Sequence, residues 1–258
     1  MAVINTKEWL ENDFAEPLKI VAKCKELFSE SNPKPLYKYL QSHGMYSPSS
    51  RAKKGLENLI ERDIWGATEG IYHKYKELWA GSEIPVYIFP FRESNGLSRT
   101  KSNKSGLAFK DKLFLFVHSS ISDKELEAVF VHEYHHVCRL NRLKKNPEQY
   151  TLLDSMIMEG LAEYAVLKHV GKQYLAKWTS LYDEKELLKY YDRYLKTQLQ
   201  TKRTEELHDE LLLGAKPFPS MLGYCTGYYL VSKAGLVPVK KSFTIFSEEI
   251  LKKADFKE

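Results

Sequence analysis

The sequence predicts an α+β chain, mostly helical, with one small β-sheet near its middle. Apolar residues recur at helical spacing through most of the 258 positions. Two short runs rich in β-branched and aromatic residues, 86–89 and 113–117, stand apart from that pattern. A content of 43% hydrophobic and 13% aromatic residues is enough to bury a sizeable core in one large domain or one and a half. The change of character near residue 84 suggests a helical N-terminal region, 1–83, packed on a larger part, 84–258.

In chain order, residues 6–30 read as helical, with Trp9, Leu10, Phe14, Leu18, Ile20, Val21, Leu27 and Phe28 at helical spacing. Asn32-Pro33-Lys34-Pro35 ends that unit, and a short helical stretch follows at 36–40. Residues 49–80 form one long or two broken amphipathic helices, with Leu56, Leu59, Ile64, Trp65, Tyr72, Tyr75 and Trp79 in the buried stripe. The first β-run lies between Pro85 and Pro90. A polar loop, 93–105, leads to a hairpin in which 106–109 pairs with 113 onward, its first arm a candidate exposed edge.

Ser122 followed by Glu125 is a capping box, so a helix starts there and ends near 141–146, before Pro147. A second helix is expected at 148–168, followed by helical stretches at 174–181, 184–199 and 204–213. Residues 214–219 break the pattern, and helices at 221–234 and 243–253 close the chain.

Inside the 122–142 helix, Val131-His132-Glu133-Tyr134-His135-His136-Val137 spells H-E-x-x-H. Residues four apart lie one turn above each other on nearly the same face, so the imidazoles of His132 and His136 can converge on one ion, with zinc as the default. Glu133 is too far round the helix to join that pair but can reach a water beside the ion, the place for a general base. A rival pair, His132 with His135, could also hold a metal but leaves Glu133 without a role. His135 reads as a packing or hydrogen-bonding residue.

Downstream, Met158-Glu159-Gly160-Leu161-Ala162-Glu163-Tyr164 supplies Glu159 as a third ligand, 23 positions after His136 on another helix. Glu163, four residues later on the same face, is placed to accept the free ring N–H of a ligating histidine. Leu126, Val129, Phe130, Val137 and Leu140 make the first helix apolar enough to be buried, where His and Glu side chains are costly unless paired. An oxyanion formed beside the metal needs a donor. Tyr228 is the first candidate, Tyr224 on the same helical face the second and His208 the third, the two tyrosines standing in a Gly-rich setting among 17 in the chain.

HEYHH followed by EGLAEY resembles the gluzincin metallopeptidases, and the pattern from Gly106 to Gly235 is similar to the YjaZ-like family of bacterial predicted zinc-dependent proteases. The resemblance implies a zincin-like catalytic domain over 84–258. It also implies one zinc ion on His132, His136 and Glu159, and Glu133 as the motif glutamate. Gluzincins often carry an acidic residue four after the ligand Glu, and Glu163 stands at that place, with Glu where Asp is common. In gluzincins a sheet edge beside the metal helix receives the substrate as an added strand, and the arm containing Gly106, Leu107 and Ala108 is the matching segment. The expected reaction is hydrolysis of a peptide bond. A non-proteolytic metal hydrolase and a metal-stapled binding protein without activity are the alternatives, and an intact Glu133 argues against the second.

The net charge of +5 is interleaved along the chain, as on a solvated surface and unlike a nucleic-acid footprint. Cys24, Cys138 and Cys225 are too far apart for a disulfide framework or zinc knuckle, which fits a reducing compartment. Acidic residues interrupt 1–17 where a signal peptide would be apolar, and no apolar run spans a membrane. A cytoplasmic enzyme acting on a peptide or protein is the expectation. Arg99, Lys101, Lys104, Lys110 and Lys112, opposed by Asp111, suggest a locally positive groove rim that favours acidic side chains beside the cleaved bond.

Overall fold

The structure, a computed structural model, describes residues 2–28, 32–92, 104–235 and 238–254. Two compact units emerge, Met1–Val137 and Cys138–Glu258. Within the first unit the N-terminal segment is bonded to the first strand. Val86 N–H donates to Ala2 O at 3.0 Å and Ile4 N–H to Val86 O at 2.9 Å. Thr6 Oγ1 donates to Ile88 O at 2.6 Å. A composition change marks the start of the strands but not a gap in packing.

In the first unit the helical run expected over 6–30 is divided. Helix α1 (Thr6–Asp13) stops before Pro17, which opens α2 (Pro17–Ala22), and a 3₁₀ turn covers Lys25–Phe28. Proline suits a first helical turn and interrupts an interior one, which explains the break. Helix α3 spans Pro33–Ser42. The long amphipathic stretch becomes α4 (Ser50–Glu61) and α5 (Ile64–Trp79), separated by Asp63 in a left-handed conformation (φ 47°), whose carboxylate accepts from Gly66 N–H.

The sheet has the order β1-β3-β2, with β1 at Val86–Pro90, β2 at Lys104–Ala108 and β3 at Leu113–Val117. The central strand β3 pairs with β1 in parallel, Val86 opposite Leu113. The hairpin pair β2 and β3 is antiparallel, Gly106 opposite Leu115. Both β1 and β3 are buried along their length, as strands covered on two faces must be. On one face Phe28 packs against Phe114 and Phe109, and Tyr87 lies near Trp9. The other face meets helix α6 (Asp123–Arg142). Of the loop expected at 93–105, residues 93–103 lie outside the described residues.

The second unit is helical: α7 (Leu152–His169), 3₁₀ turns at Lys172–Tyr174 and Lys177–Ser180, α8 (Glu184–Tyr190) running into a π turn at Tyr191–Leu195, α9 (Glu206–Leu213), α10 (Leu222–Ala234), a 3₁₀ turn at Val239–Phe243 and α11 (Ser247–Lys253). Helix α7 starts later than the expected 148, because Pro147–Gln149 is a separate 3₁₀ turn and a capping box of Thr151 and Asp154 opens the helix. Its core is Leu152, Met156, Ile157, Leu161, Leu195, Leu222 and Leu230. Helices α7 and α10 cross so closely that a Cβ at Gly160 would overlap the Gly227 carbonyl, and one at Gly227 the Met156 carbonyl. Arg139, 1% exposed, donates through Nη1 to Ser242 O and Ile245 O and so ties the C-terminal turns down. Among the described residues no helix is long and apolar enough to cross a membrane.

Glu127 on α6 tests the electrostatics of the first unit. Burial alone would raise its pKa, but hydrogen bonds from Lys124, Lys74 and Tyr75 together outweigh burial and hold the carboxyl at about 2. A folded pKa below the ordinary value of 4.5 means that this stabilisation is complete above that pH and is lost as pH falls toward 2. Urea midpoints measured at pH 6 and pH 3 should therefore differ less for Glu127→Gln than for the wild type. An equal acid loss in both chains would show that another group is responsible.

Candidate metal centre

Helix α6 begins where its capping box requires: Ser122 N–H donates to Glu125 Oε2 at 2.8 Å and Glu125 N–H to Ser122 Oγ at 3.3 Å. Phe130, Val131, Tyr134 and Val137 are fully buried. Tyr134 donates to Ser82 O at 2.9 Å and stacks on Trp79 at 6.0 Å. His135 has no exposed surface and meets Trp79 edge-on at 87°. These contacts consume one side of the helix and orient the other. There the Nε2 atoms of His132 and His136 approach to 3.1 Å, with their rings at 89°. Two nitrogens on one tetrahedral zinc stand about 3.3 Å apart given bond lengths near 2.0–2.1 Å, so this pair fits that ion. Glu159 completes the set, each of the three residues offering a ligand atom within 4.8 Å of the others.

Glu133 lies against β2. A Cβ added at Gly106 would overlap its Cγ and Cδ. Residues 104, 106 and 108 share one face of the strand, and Lys104 Nζ on that face donates to Glu125 O at 3.1 Å. Leu107 points the other way, opposite Phe114 in the ladder. The three residues expected to receive substrate thus form an outer strand running beside the helix of the motif.

The remaining expected residues gather in the second unit. Glu163 is 4% exposed and its Oε2 accepts from Ala176 N–H at 3.0 Å, anchoring the 3₁₀ turn that follows. That turn carries Trp178, which sequence reasoning missed. Trp178 meets Tyr224 edge-on at 5.2 Å and Tyr228 at 6.3 Å, while its carbonyl accepts from Cys225 Sγ. No local signal singles out this tryptophan, because its partners lie more than 40 positions away. Burial raises the Tyr228 phenol above its ordinary pKa against an opposing hydrogen bond with Ser232, so it remains protonated and able to donate. The small residues between the tyrosines make room for α7, not for a ligand. His208 is 1% exposed, with Nε2 bonded to Ser155 Oγ at 2.9 Å and Nδ1 to Asp209 at 2.7 Å.

Of the cations expected at a positive rim, Lys112 is withdrawn from solvent. Arg99 and Lys101 lie outside the described residues. Lys112 is 6% exposed, lies over the rings of Phe28 and Phe109 and pairs with Asp111, so it presents little charge to solvent.

These features define a mostly helical α+β protein carrying a His, His, Glu constellation suited to zinc. Residues 64–250 match the family described as "Predicted Zn-dependent protease (DUF2268)", and the chain belongs to that family. It is 38% identical over 205 residues to "Uncharacterized protein YjaZ" of Bacillus subtilis (strain 168), covering 79% of this chain and 78% of that protein. No solved structure matches.

Removal of His132, His136 or Glu159 by alanine should lower bound zinc well below one ion per chain by elemental analysis, whereas His135→Ala should leave it unchanged. Loss of zinc in His135→Ala with retention in His136→Ala would assign the ligands to the other frame.

Proposed function

We propose that the protein is a zinc-dependent peptidase that hydrolyses peptide bonds with one ion held by His132, His136 and Glu159 and with Glu133 as general base. The convergence of those three ligand atoms carries the reading, and the family's description supports it. When bound, zinc supplies a Lewis acid that lowers the pKa of water toward ~7 and polarises a carbonyl. Glu133 accepts a proton from the attacking water at a carboxylate oxygen and passes it to the leaving amine nitrogen. Gly106, Leu107 and Ala108 bind the peptide backbone as an added strand, an arrangement supported by the position of β2 beside Glu133.

Tyr228 is the preferred donor to the oxyanion, supported by its raised pKa and its placement near Glu163. Tyr224 stands behind it, edge-on to Trp178, and the bonds that His208 already makes with both ring nitrogens rank it third. Glu163 has the role of orienting a ligand histidine without binding the metal, and its bond from Ala176 N–H also holds the turn beside the tyrosines. Cys24, Cys138 and Cys225 are buried and form no disulfide among the described residues, with burial pushing Cys24 and Cys225 up to about 12, which fits a cytoplasmic setting.

Glu133→Gln keeps the shape of the side chain but cannot accept a proton. Zinc content should stay at the wild-type level while peptide turnover falls by at least about 10²-fold. Wild-type turnover in a zinc-loaded Glu133→Gln chain would reject the mechanism, and an inactive wild type that unfolds on chelation would favour a metal-stapled binding protein.

A further inference from the structure

We propose that Gly106 is a positioning residue for Glu133: the missing side chain on β2 is the space that the base's carboxylate occupies. The inference rests on the peptidase reading above for its catalytic consequence. Glycine in a strand interior weakens the strand, so its presence asks for a reason. Backbone conformation is not that reason, because the positive-φ glycines among the described residues are Gly44, Gly171, Gly214 and Gly235, and Gly106 is not among them. It sits in regular antiparallel register opposite Leu115.

The reason is spatial. A Cβ built at Gly106 would meet three atoms of one side chain: Glu133 Cγ, Cδ and Oε1, the last at 2.8 Å. Lys104, two residues earlier on the same face, reaches the start of α6 with a long side chain. The strand is therefore bare where it passes Glu133 and not along its whole helix-facing edge. Because the conflicting atoms belong to a side chain that can turn, a methyl at 106 would be accommodated by swinging the carboxylate away. The fold, the β-ladder and the two histidines would stay in place. A misplacement of ~1 Å at a reacting group is enough to cost about 10²-fold in rate.

The test compares Gly106→Ala, Glu133→Asp and the double variant with wild type, reading zinc content, kcat and KM, together with crystal structures of Gly106→Ala and wild type. Gly106→Ala should keep its zinc and its KM within about twofold while kcat falls about 10²-fold. Its structure should show the Glu133 carboxylate displaced and His132 and His136 superimposed on the wild type. Aspartate is shorter by one methylene and frees the contested space, so Gly106→Ala should cost less than about twofold in the Glu133→Asp background. An unmoved carboxylate, a wild-type kcat in Gly106→Ala or the same loss in both backgrounds would overturn the inference. If Gly106→Ala folded poorly, recovery of folded protein by Glu133→Asp would show the same conflict, and failure to recover it would count against it. An inactive wild type would instead overturn the peptidase reading, and the position of the carboxylate in the two structures would still decide whether Gly106 makes its space.

Discussion

Two imidazoles four residues apart on α6 bring their Nε2 atoms to 3.1 Å, and basic nitrogens that close need a shared proton or a cation between them. Holding them there requires a helix that cannot rotate about its axis. The packing side of α6 supplies that restraint in the first unit. Tyr134 is pinned by a hydrogen bond to Ser82 and a stack on Trp79, Phe130 lies among Tyr72, Tyr75 and Tyr134, and His135 is buried edge-on to Trp79. A rotation that exposed any of these aromatic groups would lose roughly 1.5–3 kcal/mol of apolar burial per side chain.

Glycine serves close approach both at the α7/α10 crossing and on β2, with different results. Between α7 and α10, Gly160 and Gly227 let one backbone reach the other, which fixes the helix that carries Glu159 against its neighbour. A glycine inside a helix costs about 1 kcal/mol against alanine, and the crossing it permits offsets that cost through the apolar core around Met156, Leu161 and Leu230. On β2 the same absence of a side chain leaves room for the Glu133 side chain instead of a backbone.

Three buried charged side chains in the second unit are tied to the chain's own turns. Asp154 accepts from Lys145 and Ser247, Arg139 donates to Ser242 and Ile245, and Glu163 accepts from the Ala176 amide. Each joins a helix to a turn or loop outside it, so the short 3₁₀ turns that would be marginal alone are held at defined positions.

What could be read from the chain alone was whatever depends on spacing along one element. The H-E-x-x-H frame, the Ser122 and Glu125 cap, the β-runs at 86–89 and 113–117 and the break at 214–219 follow from the helical repeat, from capping chemistry and from residue shape within a few positions. The split at Pro17 was equally local, although the apolar pattern on both sides obscured it. Tertiary structure decided what stands opposite each group: Gly106 beside Glu133, Ala176 on Glu163, Trp178 against Tyr224 and Tyr228, and Ser155 on His208. The physical reason is that a helix or strand sets the direction of its side chains through its own repeat, whereas the identity of a partner across a gap depends on how separate elements pack, and no periodicity along the chain encodes that.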